Sequence, residues 1–188
     1  LVNGKKEGIW IEGYFMDENG LPPGCGFEEY YYDEANYIDD VLNGSYKIYK
    51  GFKNAKLICE YNIICNQKNG EYKYYYENGN LCEEYNYKNN KKEGISKYYY
   101  ENGNLCSEYN YTNDNLNGIS KKYHENGKLE YKCYYINNKL EGKIKETTPW
   151  ETKNEKYYVN SRLESKYKQY YKFNYKFNYK FNYKFFFL

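Results

Sequence analysis

The stretch Gly94-Ile95-Ser96-Lys97-Tyr98-Tyr99-Tyr100-Glu101-Asn102-Gly103-Asn104-Leu105-Cys106-Ser107-Glu108-Tyr109-Asn110-Tyr111 has a near-copy on either side, from Gly70 to Tyr87 and from Gly118 to Tyr135. Gly70, Gly94, Gly118 and Gly142 are spaced 24 residues apart, and so are Leu57, Leu81, Leu105 and Leu129. A fixed period of about 20–50 residues marks a stacked-repeat architecture, in which one small unit buries its apolar face only against its neighbours.

Asn-Gly recurs at Asn78-Gly79, Asn102-Gly103 and Asn126-Gly127, each time between runs rich in Tyr and Leu. Both residues tolerate positive φ, so the pair predicts a tight type I′ hairpin turn. A turn centred on Asn102-Gly103 sets Gly94 opposite Tyr111, Ser96 opposite Tyr109, Tyr98 opposite Ser107 and Tyr100 opposite Leu105. The other side then pairs Lys97 with Glu108 and Tyr99 with Cys106. A four-residue loop over 101–104 gives the same register. Each periodic Gly falls opposite a Tyr, as in aromatic rescue of strand glycines. Lys73 meets Glu84 and Lys97 meets Glu108, which attract, whereas Lys121 meets Lys132. The Gly/Tyr/Leu face is expected to be buried and the Lys/Glu face wetter. Since one hairpin is marginal in water, Asn-rich turns over 88–93, 112–117 and 136–141 are expected to join hairpins edge to edge. The fold class is all-β: repeated β-hairpins of about 24 residues in an elongated antiparallel meander.

Composition agrees with thin sheet rather than a thick core. Tyr contributes 31 of 188 residues, against Trp 2 and Met 1, and Tyr suits a half-buried pleated surface. The formal charge is +2, but Ser165 to Leu188 holds six Lys and no acid, leaving residues 1–164 at −4. That balance argues against a uniformly basic nucleic-acid binder, so no specific nucleic-acid partner is expected, although the tail alone suits polyanions. Cys82 and Cys106 hold the same repeat position, two strands or ~9–10 Å apart in a meander. Cα atoms beyond about 7 Å do not bridge without backbone movement, so the cysteines are read as reduced, partly buried thiols of a reducing compartment. No signal peptide is visible, so a cytoplasmic location is the expectation, with an envelope-associated one as the alternative; the chain starts at Leu1 rather than Met, which leaves its native start open.

Four regions follow from the pattern. Residues 1–43 form a divergent N-terminal repeat or cap, in which Glu18-Asn19-Gly20-Leu21 echoes the repeat turn, Leu21-Pro22-Pro23-Gly24 marks a loop, Glu28 to Tyr32 a short strand, and Asp33 to Leu42 an irregular segment or one helical turn. Residues 44–150 are the repeat domain, with a longer turn near Lys53-Asn54 and a return strand over Leu57 to Cys65. Residues 151–165 read as a polar linker, and 166–188 as a low-complexity Tyr/Lys/Phe/Asn tail. In that tail aromatic residues alternate with Lys or Asn from Tyr171 onward, a period of two. It suits a membrane-surface ribbon, a stacking platform for single strands, an added sheet strand, or a repeat expansion without a function of its own.

Catalytic chemistry has little foothold. His124, the only His, stands where Tyr76 and Tyr100 stand in the other copies, and so reads as packing. No Cys-x-x-Cys, Gly-x-Gly-x-x-Gly or Gly-Lys-Ser/Thr occurs. Glu77, Glu101 and Glu125 flank turns. No catalytic residue, metal site or cofactor is expected. The candidate partner-binding strip is Lys73, Tyr75, Lys97, Tyr99, Lys121 and Tyr123 on the wetter face, extended in the Lys row by Lys145. Tyr is enriched in interfaces, and repeat proteins bind along extended faces.

With Tyr98-Tyr99-Tyr100-Glu101-Asn102-Gly103-Asn104-Leu105 and its copies in view, the chain resembles bacterial proteins built from the variant MORN repeat, often grouped as YwqK-like antitoxins. The resemblance covers about Asn43 to Lys145, with Asn3 to Leu21 as an outlying copy. It implies a MORN-like meander and non-enzymatic binding, either neutralising a partner toxin or scaffolding, with no catalytic residues to transfer. The Tyr-x-Gly pattern of eukaryotic MORN repeats is not reproduced, so their lipid-binding role is not implied. The expected partner is therefore a protein, a toxin under this resemblance, with membrane contact reserved for the tail.

Overall fold

Two kinds of tight turn alternate along the chain and place every strand beside the one before it. The computed structural model describes residues 1–16, 29–51, 54–147, 153–163 and 168–170. Among the described residues there is no helix, and all strands join one antiparallel sheet of 15. In chain order they are β1 (Gly8–Met16), β2 (Glu29–Ile38), β3 (Val41–Lys50), β4 (Lys56–Ile64), β5 (Gln67–Tyr75), β6 (Leu81–Lys88), β7 (Lys91–Tyr99), β8 (Leu105–Thr112), β9 (Asn115–Leu116), β10 (Gly118–Tyr123), β11 (Leu129–Ile136), β12 (Lys139–Thr147), β13 (Lys153–Val159), β14 (Arg162–Leu163) and β15 (Lys168–Tyr170). Neighbours in sequence are neighbours in the sheet, except that β10 pairs with β8, with β9 beside it on β8, and that β15 pairs with β13. This is the all-β meander that the 24-residue period predicts.

The type I′ turns lie at the other end of the strands from the Asn-Gly pairs. Positive φ at both central residues, which defines that turn, occurs at Asp39-Asp40, Cys65-Asn66, Asn89-Asn90, Asn113-Asp114, Asn137-Asn138 and Asn160-Ser161. The connections expected to span 88–93, 112–117 and 136–141 are therefore two-residue turns. At Asn78-Gly79 and Asn102-Gly103 only the Gly has positive φ. The Tyr100 carbonyl accepts from Gly103 N–H (2.8 Å), and Tyr100 N–H donates to the Asn104 carbonyl (2.8 Å). That is a turn over Glu101-Asn102 followed by a left-handed Gly, the three-residue hairpin loop with a G1 bulge.

This loop changes part of the expected register. Gly94↔Tyr111, Ser96↔Tyr109, Lys97↔Glu108 and Tyr98↔Ser107 pair as predicted. Beyond Tyr98 the ladder slips by one, so that Tyr99 faces Leu105 and Cys106 is skipped. The same slip sets Tyr75 opposite Leu81 and Tyr123 opposite Leu129. The predicted Tyr100/Leu105 and Tyr99/Cys106 pairs do not form, and each periodic Leu moves to the Lys/Glu face.

The periodic Gly also has a different cause from the one expected. No ring fills the place of the missing side chain: a Cβ on Gly94 would meet nothing within 4 Å, and one on Gly118 would meet the Asn110 amide at 2.8 Å. Its place is set by backbone shape, since φ is +80° at Gly94 and +115° at Gly118. Both sit where β7 and β10 bulge against the preceding strand; the β6–β7 ladder, for example, shifts between Glu84 and Asn86.

Three other expectations change. Asp33 to Leu42 is neither irregular nor helical but continues β2, turns at Asp39-Asp40 and enters β3. Residues 151–165 are not merely a linker, because β13 and β14 fall within them and Gly142↔Tyr158 repeats the Gly/Tyr pairing of the clean copies. Weak hydrophobic patterning misled here, since an outer strand of this sheet has little to bury. The turn motif Glu18-Asn19-Gly20-Leu21, the Leu21-Pro22-Pro23-Gly24 loop and the tail from Tyr171 onward lie outside the described residues. Just before that alternation, β15 runs antiparallel to β13.

Both rows of turns are stapled across repeats. Asn90 N–H donates to the Lys68 carbonyl (3.0 Å) while its Oδ1 accepts from Lys68 N–H (2.7 Å). Asp114 binds Lys92 in the same way, and Asn138 binds Leu116. At the opposite ends the Tyr76 hydroxyl donates to the Tyr99 carbonyl (2.6 Å), and that of Tyr100 to the Tyr123 carbonyl (2.7 Å). Asn80 and Asn104 Nδ2 donate to the carbonyls of Glu101 and Glu125. The Tyr-Glu-Asn-Gly-Asn signature thus serves the joint between repeats as much as its own turn.

The core lies on one face. Ala35, Cys59, Ile63, Tyr85, Cys133 and Ile144 are buried there with Ser96, Ser107 and Ser120. Tyr46, Tyr61, Tyr72 and Tyr85 stack in sequence across four strands, with centroids 5.0, 5.8 and 4.5 Å apart. Offset ring pairs add roughly 0.5–1.5 kcal/mol each beyond the area they bury.

Candidate partner-binding faces

Because side chains alternate across a strand, the register sorts the sheet into a ring face and a charged face. The ring face is packed on itself. Lys68 Nζ lies 4.5, 5.8 and 5.3 Å from the ring centroids of Tyr61, Tyr72 and Tyr87. One repeat later, Lys92 Nζ lies 3.7, 5.8 and 5.6 Å from those of Tyr85, Tyr98 and Tyr111. Cation–π attraction of this kind strengthens as water is excluded. Burial pushes the Glu83 carboxyl above its usual range, and the Lys92 charge offsets only part of that.

The charged face carries one continuous row. Glu34, Lys47, Glu60, Lys73, Glu84, Lys97, Glu108 and Lys121 stand on successive strands from β2 to β10, each directly opposite the next. Opposite charges in such positions contribute about 0.2–1 kcal/mol per pair. Lys97 Nζ reaches Glu84 at 2.9 Å and Lys121 reaches Glu108 at 2.7 Å. The ion pairs therefore run to the preceding repeat rather than within the hairpin. This explains how Lys121 is satisfied although its own hairpin offers Lys132.

The six predicted strip residues all lie on this face, on β5, β7 and β10, half-buried in each case. The fold brings each Tyr to a carboxylate: Tyr75 Oη donates to Glu60 at 2.6 Å, Tyr99 to Glu84 at 2.7 Å and Tyr123 to Glu108 at 3.4 Å. Lys73 turns instead to Glu71 on its own strand, at 2.8 Å. Burial alone would raise the Glu84 carboxyl, but the Tyr99 hydroxyl and the Lys97 ammonium outweigh it and hold that group below the ordinary range. Burial and the bond to Glu84 push the Tyr99 phenol well up, and Tyr75 behaves likewise beside Glu60.

Sequence reasoning gave Glu84 and Glu108 to the lysines of their own hairpins, and missed Glu60 and the bonds from the three tyrosines. Glu60, Glu84 and Glu108 recur at the same 24-residue period as the strip itself, and that periodicity was the available signal. It also missed the aliphatic residues beside the row, Ile95 and Ile119, which are 58% and 47% exposed. Near the loop end a hollow of ≈ 420 Å³ is lined by Tyr31, Lys50, Tyr75, Glu77 and Glu101 among others, and Lys50 bridges to Glu77 at 2.8 Å. Among the described residues no group of three or more His, Cys, Asp or Glu side chains is placed to hold a metal ion. His124 is half-buried, and its backbone closes the third hairpin loop. The five described cysteines are all free, with Cys59 and Cys133 buried.

Residues 68–89, 92–113 and 116–137 each match the family model described as the MORN repeat variant. Each match begins just after one I′ turn and ends in the next, so that one repeat is one hairpin closed by its Asn-Gly loop. MORN repeats are a non-catalytic module that generally mediates protein or membrane interactions. No curated protein matches the chain.

Proposed function

We propose that the chain is a non-enzymatic protein-binding repeat module of the antitoxin or immunity type, which masks a partner with its charged face. The observation that carries this reading is the condition of that face. Tyr75, Lys97, Tyr99, Lys121 and Tyr123 are held in place by Glu60, Glu84 and Glu108, and Lys73 by Glu71, with exposed Ile95 and Ile119 alongside. Long side chains already ordered in the free protein lose less freedom on binding, which favours affinity. An extended, uncovered repeat face is also the surface such proteins use.

Capture with the tagged full chain, followed by mass spectrometry, tests the reading. A partner that elutes in stoichiometric amount, arrests growth when expressed alone and is neutralised by co-expression of this chain is the expected result. The triple variant Lys73→Ala, Lys97→Ala, Lys121→Ala should release that partner while keeping its sheet circular dichroism. Undiminished capture by the variant overturns the role of the strip. A second reading, a peripheral envelope-associated scaffold, draws on the basic aromatic tail. It requires sedimentation with anionic vesicles that is lost on deleting residues 166–188.

A further inference from the structure

Residues 24 apart occupy equivalent places, so each departure from the repeat shows against its own copies. Glu60, Glu84 and Glu108 form the acidic positions of the charge row, and the fourth copy is Lys132. Asn62, Asn86 and Asn110 become Tyr134, and Glu71 becomes Ile95 and then Ile119. On the charged face these departures converge. Ile119 stands directly opposite Tyr134, which is 44% exposed, and Lys132 stands between Lys121 and Lys145. Lys132 is exposed and has no ion-pair partner among the described residues. Lys121 is bound to Glu108, while Glu155 beyond is bound to Lys143 at 2.6 Å.

None of these changes helps the isolated sheet. Like charges directly opposite each other repel, and exposed Ile and Tyr forgo burial. We propose that this patch of β7, β10 and β11 docks an acidic, aliphatic-rich segment of the protein partner. A partner carboxylate on Lys132 restores the alternation, and apolar side chains cover Ile95, Ile119 and Tyr134. The inference rests on the protein-binding reading above and names its site and partner chemistry. A protein segment suits it better than a lipid surface. Electrostatic lipid recognition takes clusters of about 4–8 basic residues, and here Lys121 and Lys143 are already paired.

The probe is a fluorescein-labelled octapeptide alternating glutamate with leucine, followed by anisotropy against the full chain. Its two controls replace glutamate by lysine, or leucine by serine. The acidic-apolar peptide should bind about tenfold or more tightly than either control. Lys132→Glu should abolish that binding while raising Tm by a few degrees, of order 1–4 °C, because it completes the charge row. Ile119→Ser with Tyr134→Asn should weaken binding by about tenfold without unfolding the sheet. Equal binding by Lys132→Glu, no binding of the acidic-apolar peptide up to millimolar concentration, or binding of anionic vesicles at this patch overturns the proposal. If a partner is captured and neutralised but survives Lys132→Glu, the docking site fails and the wider reading stands. If the peptide binds as described but no partner is found, the wider reading fails alone.

Discussion

Gly94→Ala and Gly118→Ala place the same methyl group at equivalent repeat positions with different consequences. At Gly94 φ is +80°, and a Cβ there would meet nothing within 4 Å. An L-residue in left-handed backbone costs about 1–2 kcal/mol, of which the stiffer unfolded chain returns roughly 0.4–1, leaving a loss of about 0.5–1 kcal/mol. At Gly118 φ is +115°, farther from the left-handed well, and a Cβ would lie 2.8 Å from Asn110 Nδ2 and 3.3 Å from its Cβ. Strain of about 2–3 kcal/mol then adds to the cost of displacing Asn110, for a net loss of about 2–3 kcal/mol. With a urea dependence of about 2 kcal/mol per molar, the midpoint should fall by ~0.3–0.5 M for Gly94→Ala and ~1–1.5 M for Gly118→Ala. Adding Asn110→Ala to Gly118→Ala should recover only the contact part, roughly 0.5–1 kcal/mol. Equal losses in the two single variants, or full recovery in the double one, would refute the claim that backbone shape rather than ring cover dictates the periodic glycine.

Three further outcomes follow from local geometry. Cys65→Asn should raise the urea midpoint by the equivalent of about 0.5–1 kcal/mol, because Cys65 holds φ +49° in an I′ turn whose counterparts are Asn89, Asn113 and Asn137; an unchanged or lower midpoint counts against the turn assignment. Glu83 and Glu84, adjacent in sequence, should respond to pH with opposite sign. The depressed Glu84 carboxyl contributes stability that is present above the ordinary carboxylate pKa and lost as pH falls through its folded value, so Glu84→Gln should cost about 0.2–1 kcal/mol at neutral pH. The raised Glu83 carboxyl penalises the fold above its folded pKa and not below the ordinary value, so Glu83→Gln should stabilise at neutral pH. The Glu83 difference should vanish below the ordinary carboxylate range and the Glu84 difference only at lower pH, below its depressed folded value, as checked by urea titration at each pH. Under native conditions Cys65 should react with a disulfide reagent before Cys59 and Cys133, which are buried and whose thiols burial pushes up; peptide mapping reads this directly.

The hairpins, their order and the register from Gly94 to Tyr98 were legible because the period and the strand alternation constrain them together. What could not be read was which of two turn types each Asn-containing pair adopts. Asn89-Asn90 and Asn102-Gly103 are both turn-prone, and only the bonds made across the joints between repeats separate them. Asn90 is recruited by Lys68 across the joint, which is information from a neighbour 22 residues away. The binding strip was found as a row of Lys and Tyr, but its acceptors were assigned within the hairpin. The nearer carboxylates lie on the preceding strand, since each strand of a meander has two neighbours. A single hairpin considered alone shows only one of them.

The turn staples and the Lys97 and Lys121 ion pairs of the row reach the adjacent repeat and no farther, which makes a deletion the strictest test of the period. Removing residues 94–117 joins Glu93 to Gly118 and sets Glu84 opposite Lys121 and Tyr85 beside Ser120, with no change of type at any of these positions. Lys92 then meets Asn138, which accepts from Leu116 N–H in the intact chain, so the turn column stays continuous. If the sheet is a sum of units and interfaces, the shortened chain should fold with the same strand spectrum and unfold at lower urea. It should keep the Lys132 patch and its peptide affinity, apart from the share contributed by Ile95. Removing 20 residues from the same region instead of 24 shifts the Gly positions off the bulges and should leave the chain unable to form the sheet. A stable fold from the 20-residue deletion, or an unfolded chain from the 24-residue one, would show that distant contacts, not the joint between neighbours, hold the strands in order.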